Sequence, residues 1–185
     1  MVIERKEVQE IVSRYDAKNI TIGVLGSHSA EEVGISAKSF GFRTLVVCQK
    51  GREELYAKYN KHLFDHVILL EKFSDIVRED VQEEMIKLNT IFIPNRSFSV
   101  YVGYDNIENV FRVPIYGNRM ILRAEERNVE RNQYWLLEKA GIKIPKKFNK
   151  PEEIDRLVIV KVQQKKKPLE RAFFYASTPE EYYRK

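Results

Sequence analysis

Short, almost unbroken apolar runs recur between Ile20 and Ile93, and the segments between them carry apolar residues at helical spacing. The runs are Ile20–Leu25, Thr44–Cys48, His66–Leu70 and Thr90–Ile93. A strand that is apolar at successive positions has no face to turn to water, so it must be covered on both sides. Parallel sheets with crossover helices provide that cover. The intervening segments Ser27–Phe40, closed by Gly41, Arg52–Lys61 and Phe73–Leu88 are long enough to be those helices. A short amphipathic helix over residues 5–15 precedes them, and another over Tyr101–Val110 leads to Val113-Pro114-Ile115. This alternation predicts βαβ units and an α/β, Rossmann-like, doubly wound parallel sheet.

The pattern changes after Gly117-Asn118-Arg119. A polar helical stretch from Arg123 to Ala140 ends at Gly141. It is followed by an apolar strand from Leu157 to Val162, a basic loop, and a second strand from Arg171 to Ala176. Two strands joined by a loop indicate a separate antiparallel lobe, which divides the chain into residues 1–122 and 123–185.

Of the 185 residues, 43% are hydrophobic and 32% charged, enough to build a real core. The 32 basic and 27 acidic residues leave a net charge of +5 that is mostly dispersed. Such an excess suits phosphorylated small molecules at least as well as nucleic acid. The basic run Lys165-Lys166-Lys167 has no interleaved aromatic residue for base stacking, so a solvated loop explains it better than a nucleic-acid site. Cys48 is the only cysteine, which rules out an intrachain disulfide and points to a reducing compartment. No run approaches the roughly 20 apolar residues needed to span a bilayer, and the first residues have no leader-like apolar core. A cytoplasmic protein without membrane contact is expected.

In an open parallel sheet, ligands bind beyond the carboxyl ends of the strands. Three loops fall there. Gly26-Ser27-His28-Ser29 follows the first strand and offers a close-approaching backbone, hydroxyls and an imidazole; Ser27 as a plain helix cap accounts for the same tetrapeptide more economically. Pro94-Asn95-Arg96-Ser97-Phe98-Ser99 follows the fourth strand, and Arg96 there has the fork geometry for phosphate, although a loop arginine is more often a solvated charge. Tyr116-Gly117-Asn118-Arg119 ends the first lobe. His62 and His66 flank the third strand without a matching ligand pair, so histidine-based metal binding has little support. In the second lobe Lys161 closes an apolar strand, where it must either meet an anion such as an ATP phosphate or run its stem out to solvent.

Five segments come in a familiar order: Leu25-Gly26-Ser27-His28-Ser29, Arg96-Ser97-Phe98, Asp105-Asn106-Ile107-Glu108-Asn109, Val113-Pro114 with Gly117-Asn118-Arg119, and Val158-Ile159-Val160-Lys161. In this the chain resembles the archaeal formate-dependent formyl ligases that act on 5-aminoimidazole-4-carboxamide ribonucleotide (AICAR). The resemblance runs over essentially the whole chain. It implies an ATP-grasp enzyme of purine synthesis that joins formate to AICAR as ATP becomes ADP and phosphate, by way of formyl phosphate. It further implies substrate contacts at His28 and Ser97, with Gly26, Ser27 and Arg96 in the same loops, and ATP contacts at Lys161, with Lys146 and Arg171. Magnesium ligands are expected in a following half that completes the ATP-grasp lobe begun at residue 123, so that residues 1–185 alone are inactive. Self-association is a further expectation.

The chain departs from that family at three places. Asn95-Arg96 replaces the usual His-Gly before the serine, Ala124 stands where a tryptophan is common, and residues 163–170 contain no glycine where a glycine-rich loop should fold over ATP. The last departure favours an alternative, a purine-ribonucleotide-binding or regulatory relative without ATP chemistry. A nucleic-acid binder using the basic loop is the third possibility.

Overall fold

The computed structural model describes residues 3–126, 129–161 and 173–185, and the chain forms two compact units, 1–122 and 123–185. In the first unit, α1 (Arg5–Val12) precedes a four-stranded parallel sheet of β1 (Thr21–Leu25), β2 (Arg43–Gln49), β3 (His66–Leu70) and β4 (Thr90–Ile93). The strands lie in the order β3-β2-β1-β4. The chain therefore steps outward from β1 to β3, then returns to the other side of β1. Ile115 adds a single parallel bridge to Phe92 along the outer edge of β4.

Burial follows from that order. β1 and β2 are inner strands, and every residue from Thr44 to Cys48 is buried. One face packs Val24, Val46 and Cys48 under α2 (Ala30–Ser39) and the helical segment around Tyr56, Leu63 and Phe64. The other face packs Leu25, Leu45, Val47 and Phe92 under the segments that follow β3 and β4. The change of face coincides with the reversal of strand order, as a consistent crossover handedness requires.

Three expected helices are subdivided. The long helix over Phe73–Leu88 is a 3-10 stretch, Phe73–Val77, followed by α3 (Glu79–Lys87), because Arg78 between them is extended at ψ 143°. The segment 52–61 forms a π-helical stretch, Leu55–Tyr59, with a 3-10 turn, Lys61–Leu63. The helix expected over Tyr101–Val110 begins earlier: α4 (Arg96–Val102) and α5 (Tyr104–Asn109) are separated by Gly103, whose φ of 82° and ψ of 146° break the helix. Residues 96–99, read from sequence as loop, are thus the first turn of α4. An aromatic trio fixes α4 to the sheet, with ring centroids 4.8 Å apart for Phe92–Phe98, 5.1 Å for Phe98–Phe111 and 5.3 Å for Phe92–Phe111.

In the second unit the helix expected over Arg123–Ala140 is confined to α6 (Gln133–Lys139), capped by the Asn132 side chain, after a 3-10 stretch Arg119–Glu125 that carries the chain across the boundary. β5 (Val158–Lys161) and β6 (Phe173–Ala176) pair antiparallel, and α7 (Pro179–Arg184) follows. Alternate residues Ile159, Lys161, Phe173 and Tyr175 are exposed, while Ala176 is fully buried. Among the described residues, no helix is long and apolar enough to cross a membrane.

Candidate functional site

The strand order makes one place special. β1 and β4 are hydrogen-bonded neighbours, and they leave the sheet's carboxyl edge in opposite directions of the winding. At such a switch point, beyond the carboxyl ends of the strands, open α/β sheets bind their ligands. The loops in question are Gly26–Ser29 and Pro94–Ser97, so the topology brings the first two sequence-predicted loops together.

Their contact is direct. Ser97 Oγ, on a residue only 7% exposed, donates to Ser27 Oγ over 2.9 Å. That donation leaves the Ser27 hydroxyl hydrogen for a ligand and polarises it. Ser27 does not cap α2: Ser29 occupies that position in the left-handed conformation, φ 62°, and no hydroxyl caps the helix. His28 is exposed at the tip of the loop.

Asn95, one of the departures from the family pattern, is the fastener of the two loops. Its Oδ1 accepts from Phe98 N over 3.0 Å, capping α4, while Nδ2 donates to Leu25 O over 3.1 Å and to His28 O over 2.7 Å. One amide thus uses both its ends to fix the β4 loop against the β1 loop. A readable signal existed, since asparagine directly before a helical turn is a preferred cap.

Gly26 serves packing. A Cβ there would lie 2.9 Å from Cys48 Sγ, 3.1 Å from Val46 Cγ2 and 3.1 Å from Val47 O. The close approach that glycine permits is thus to β2, with Gly26 N donating to Val47 O over 2.7 Å. Beneath it, burial and, secondarily, the charge of Glu53 push the Cys48 thiol up to about 12. Arg96, one position before Ser97 and so about 100° around the helix, donates to Tyr104 Oη over 3.2 Å.

The third loop departs from expectation. Tyr116 N donates to Phe92 O over 2.9 Å, which places the loop beside β4, but the Arg119 guanidinium turns inward. Nη1 donates to Ile107 O over 2.6 Å and also to Phe111 O, and Nη2 reaches Val113 O at 3.4 Å. Burial lowers its pKa, with Glu7 opposing. Arg119 is a staple of the fold.

In the second unit, Lys161 pairs across the strands with Phe173 on the exposed face, and no carboxylate among the described residues lies within ion-pair distance of it. Lys146 Nζ is 3.9 Å from Asp155 Oδ2 and 4.5 Å from the Phe148 ring centroid. Arg171 and the loop 163–170 lie outside the described residues. On the exposed face of this strand pair, Lys161 lies beside Ile159, Phe173 and Tyr175. For magnesium, the described residues contain no group of three or more His, Cys, Asp or Glu side chains able to hold an ion.

A family model described as "Protein of unknown function (DUF1246)" matches residues 22–148, which include both loops of the switch point. The chain belongs to the DUF1246 family. Curated relatives carry the name 5-formaminoimidazole-4-carboxamide-1-(beta)-D-ribofuranosyl 5'-monophosphate synthetase. The Methanothermobacter thermautotrophicus protein is 46% identical over 181 residues, covering 97% of this chain and 48% of its own length. The Methanopyrus kandleri protein is 44% identical over 182 residues, 98% of this chain and 49% of its own. That of Methanocaldococcus jannaschii is 42% identical over 185 residues, 100% of this chain and 49% of its own. The chain therefore spans about half the length of the curated relatives it matches.

Proposed function

We propose that this chain is the substrate-binding portion of a cytoplasmic, ATP- and formate-dependent ligase that formylates the 5-amino group of AICAR in purine synthesis. The relatives' printed name and the Ser27–Ser97 contact at the β1/β4 switch point support this reading, and the contact is the observation that carries it. In it, the crevice takes the ribotide, with His28, Ser27 and Ser97 as donors and Gly26 and Arg96 shaping the same loops. The exposed β5–β6 face, with Lys161, Lys146 and Arg171, takes ATP as the first part of an ATP-grasp lobe. Magnesium ligands then belong to the further length that the relatives possess. The partners are small molecules, with neither nucleic acid nor membrane among them, and the protein self-associates.

Formate is a poor acyl donor until one of its oxygens becomes a phosphate leaving group, which ATP supplies. A ribotide pocket is therefore necessary for this chemistry and insufficient alone, so residues 1–185 are expected to bind AICAR without turning it over. Calorimetric titration with AICAR tests the reading. Saturable binding that His28→Ala and Ser97→Ala each weaken supports it, and a wild-type chain that takes up no ribotide sinks it.

The glycine-free loop over residues 163–170 favours a second reading, a purine-ribonucleotide-binding relative without ATP chemistry. Ribotide binding together with ATP binding supports the ligase. Ribotide binding without any for ATP supports the second.

A further inference from the structure

Helix α4 lies beside more than the β1 loop. Ser97 meets Ser27, at the end of β1, and Tyr101 one turn later receives a hydrogen bond from Arg52 Nη1 over 3.2 Å, in the turn that leaves β2. Residues four apart share a helix face and lie roughly 6 Å apart along its axis, close to the spacing of about 4.8 Å between neighbouring strands. The Ser97–Tyr101 face of α4 thus passes from the carboxyl end of β1 to that of β2, and Arg52 lies on the same edge of the sheet as the Ser27–Ser97 pair.

Arg52 is held there in a defined pose. Its guanidinium carbon lies 5.6 Å from the Tyr101 ring centroid and 6.0 Å from that of Phe73, and those two rings are 5.1 Å apart. Phe73 is itself tied to the β2 end, its backbone N donating to Gln49 Oε1 over 3.2 Å. Arg52 is exposed and has no carboxylate within ion-pair distance among the described residues, whereas Lys50 beside it is paired with Glu71. A cation stacked on aromatic rings, fixed by one hydroxyl and left without a counter-ion, has most of its five donors available to an anion.

We propose that Arg52 is a specificity-determining residue of the switch-point crevice, binding the 5'-phosphate of the ribotide while the Ser27–Ser97 pair meets the sugar end. This rests on the ribotide reading above and adds to it the residue that distinguishes a nucleotide from its nucleoside. Tyr101 acts as a positioning residue, by orienting the guanidinium.

The test compares AICAR with its riboside, which lacks the phosphate, by calorimetry on the 185-residue chain. Wild type should favour the ribotide by about ten- to a hundredfold, the range expected for hydrogen bonds to a charged group. Arg52→Gln should bring that ratio close to one by weakening only the ribotide, Arg52→Lys should keep part of it, and Tyr101→Phe should reduce it less than Arg52→Gln. Unfolding midpoints taken in parallel report on the structural part of the role, the stacking and the hydrogen bond to Tyr101. An Arg52→Gln chain that loses stability but keeps the wild-type ratio makes Arg52 a purely structural cation and overturns the proposal, with the ribotide reading intact. A wild-type chain that binds neither compound overturns both.

Discussion

Ser97 on α4 donates a 2.9 Å hydrogen bond to Ser27 in the β1–α2 loop, joining two residues 70 positions apart in the chain. The bond exists because β4 lies against β1 rather than beyond β3, so it reports on the strand order as much as on the site. The two hydroxyls form a unit: removing either leaves the other without its partner in a partly buried setting. Ser27→Ala and Ser97→Ala should therefore be non-additive for AICAR binding, with the double variant little worse than either single one and a coupling of about 1 kcal/mol. Fully additive losses would mean that each hydroxyl meets the ligand independently.

Asn95 separates two tasks that one side chain performs. Asn95→Ser keeps an acceptor for Phe98 N, so α4 should stay capped, but it has no second donor for the His28 and Leu25 carbonyls. Asn95→Ala loses both. Stability should fall by about 1 kcal/mol for serine, which loses the two Nδ2 bonds, and by about 2 kcal/mol for alanine, which loses the cap as well, while AICAR affinity falls about equally in the two. Serine restoring both stability and affinity would show that only the cap matters.

The parallel sheet was legible because buried inner strands must be apolar at successive positions, and Thr44–Cys48 is. Strand order was not legible, since the same runs would serve in any order, and the meeting of His28's loop with Ser97's depends on it. The start of α4 was hidden by Ser97 and Ser99, polar residues that the fold buries. Arg119 misled for a similar reason: glycine, amide and arginine at a loop look like an anion site, and only tertiary structure reveals three carbonyls waiting inside. Arg52 carried no signal at all, because the rings beneath it come from Phe73 and Tyr101, distant in sequence.

Gly26 can be tested through the thiol beneath it. A Cβ at 2.9 Å from Cys48 Sγ forces something to move, so Gly26→Ala should cost about 1–3 kcal/mol. Adding Cys48→Ala removes the sulfur and should return part of that loss, while the contacts to Val46 and to the Val47 carbonyl keep the rescue incomplete. Chemical denaturation of the four chains gives the cycle. A double variant as unstable as the sum of the single ones would place the clash elsewhere.

Acid should weaken the link between α2 and the β3 end. Burial opposes ionisation of Asp65, but hydrogen bonds from Lys38 and from the Thr44 amide and hydroxyl outweigh it and hold the carboxyl below its ordinary value. A depressed folded pKa means that the unfolded chain takes up the proton first. The stabilisation is thus complete above roughly pH 4 and is lost as pH falls through the lower folded value. With the side chain 36% exposed, solvent screening limits it to about 1 kcal/mol. The stability gap between wild type and Asp65→Asn should be steady near neutrality and close in acid. A gap that persists unchanged well below pH 3, the ordinary range for such carboxyls having been passed, would contradict this.

Arg119 offers the clearest separation of fold from function. Its guanidinium meets the carbonyls of Ile107, Phe111 and Val113, which lie at the end of α5 and in the strand-like segment leading to Ile115. Those carbonyls have turned away from water toward this one group, and a planar fork reaches all three where an ammonium has neither the spread nor the geometry. Arg119→Met keeps the length of the stem and removes every donor, so urea denaturation should show a loss of about 2–3 kcal/mol. Arg119→Lys should fall between. Because the guanidinium faces the core, the folded Arg119→Lys chain should bind AICAR with wild-type affinity. Wild-type stability in Arg119→Met combined with lost ribotide binding would instead make Arg119 a ligand-facing residue.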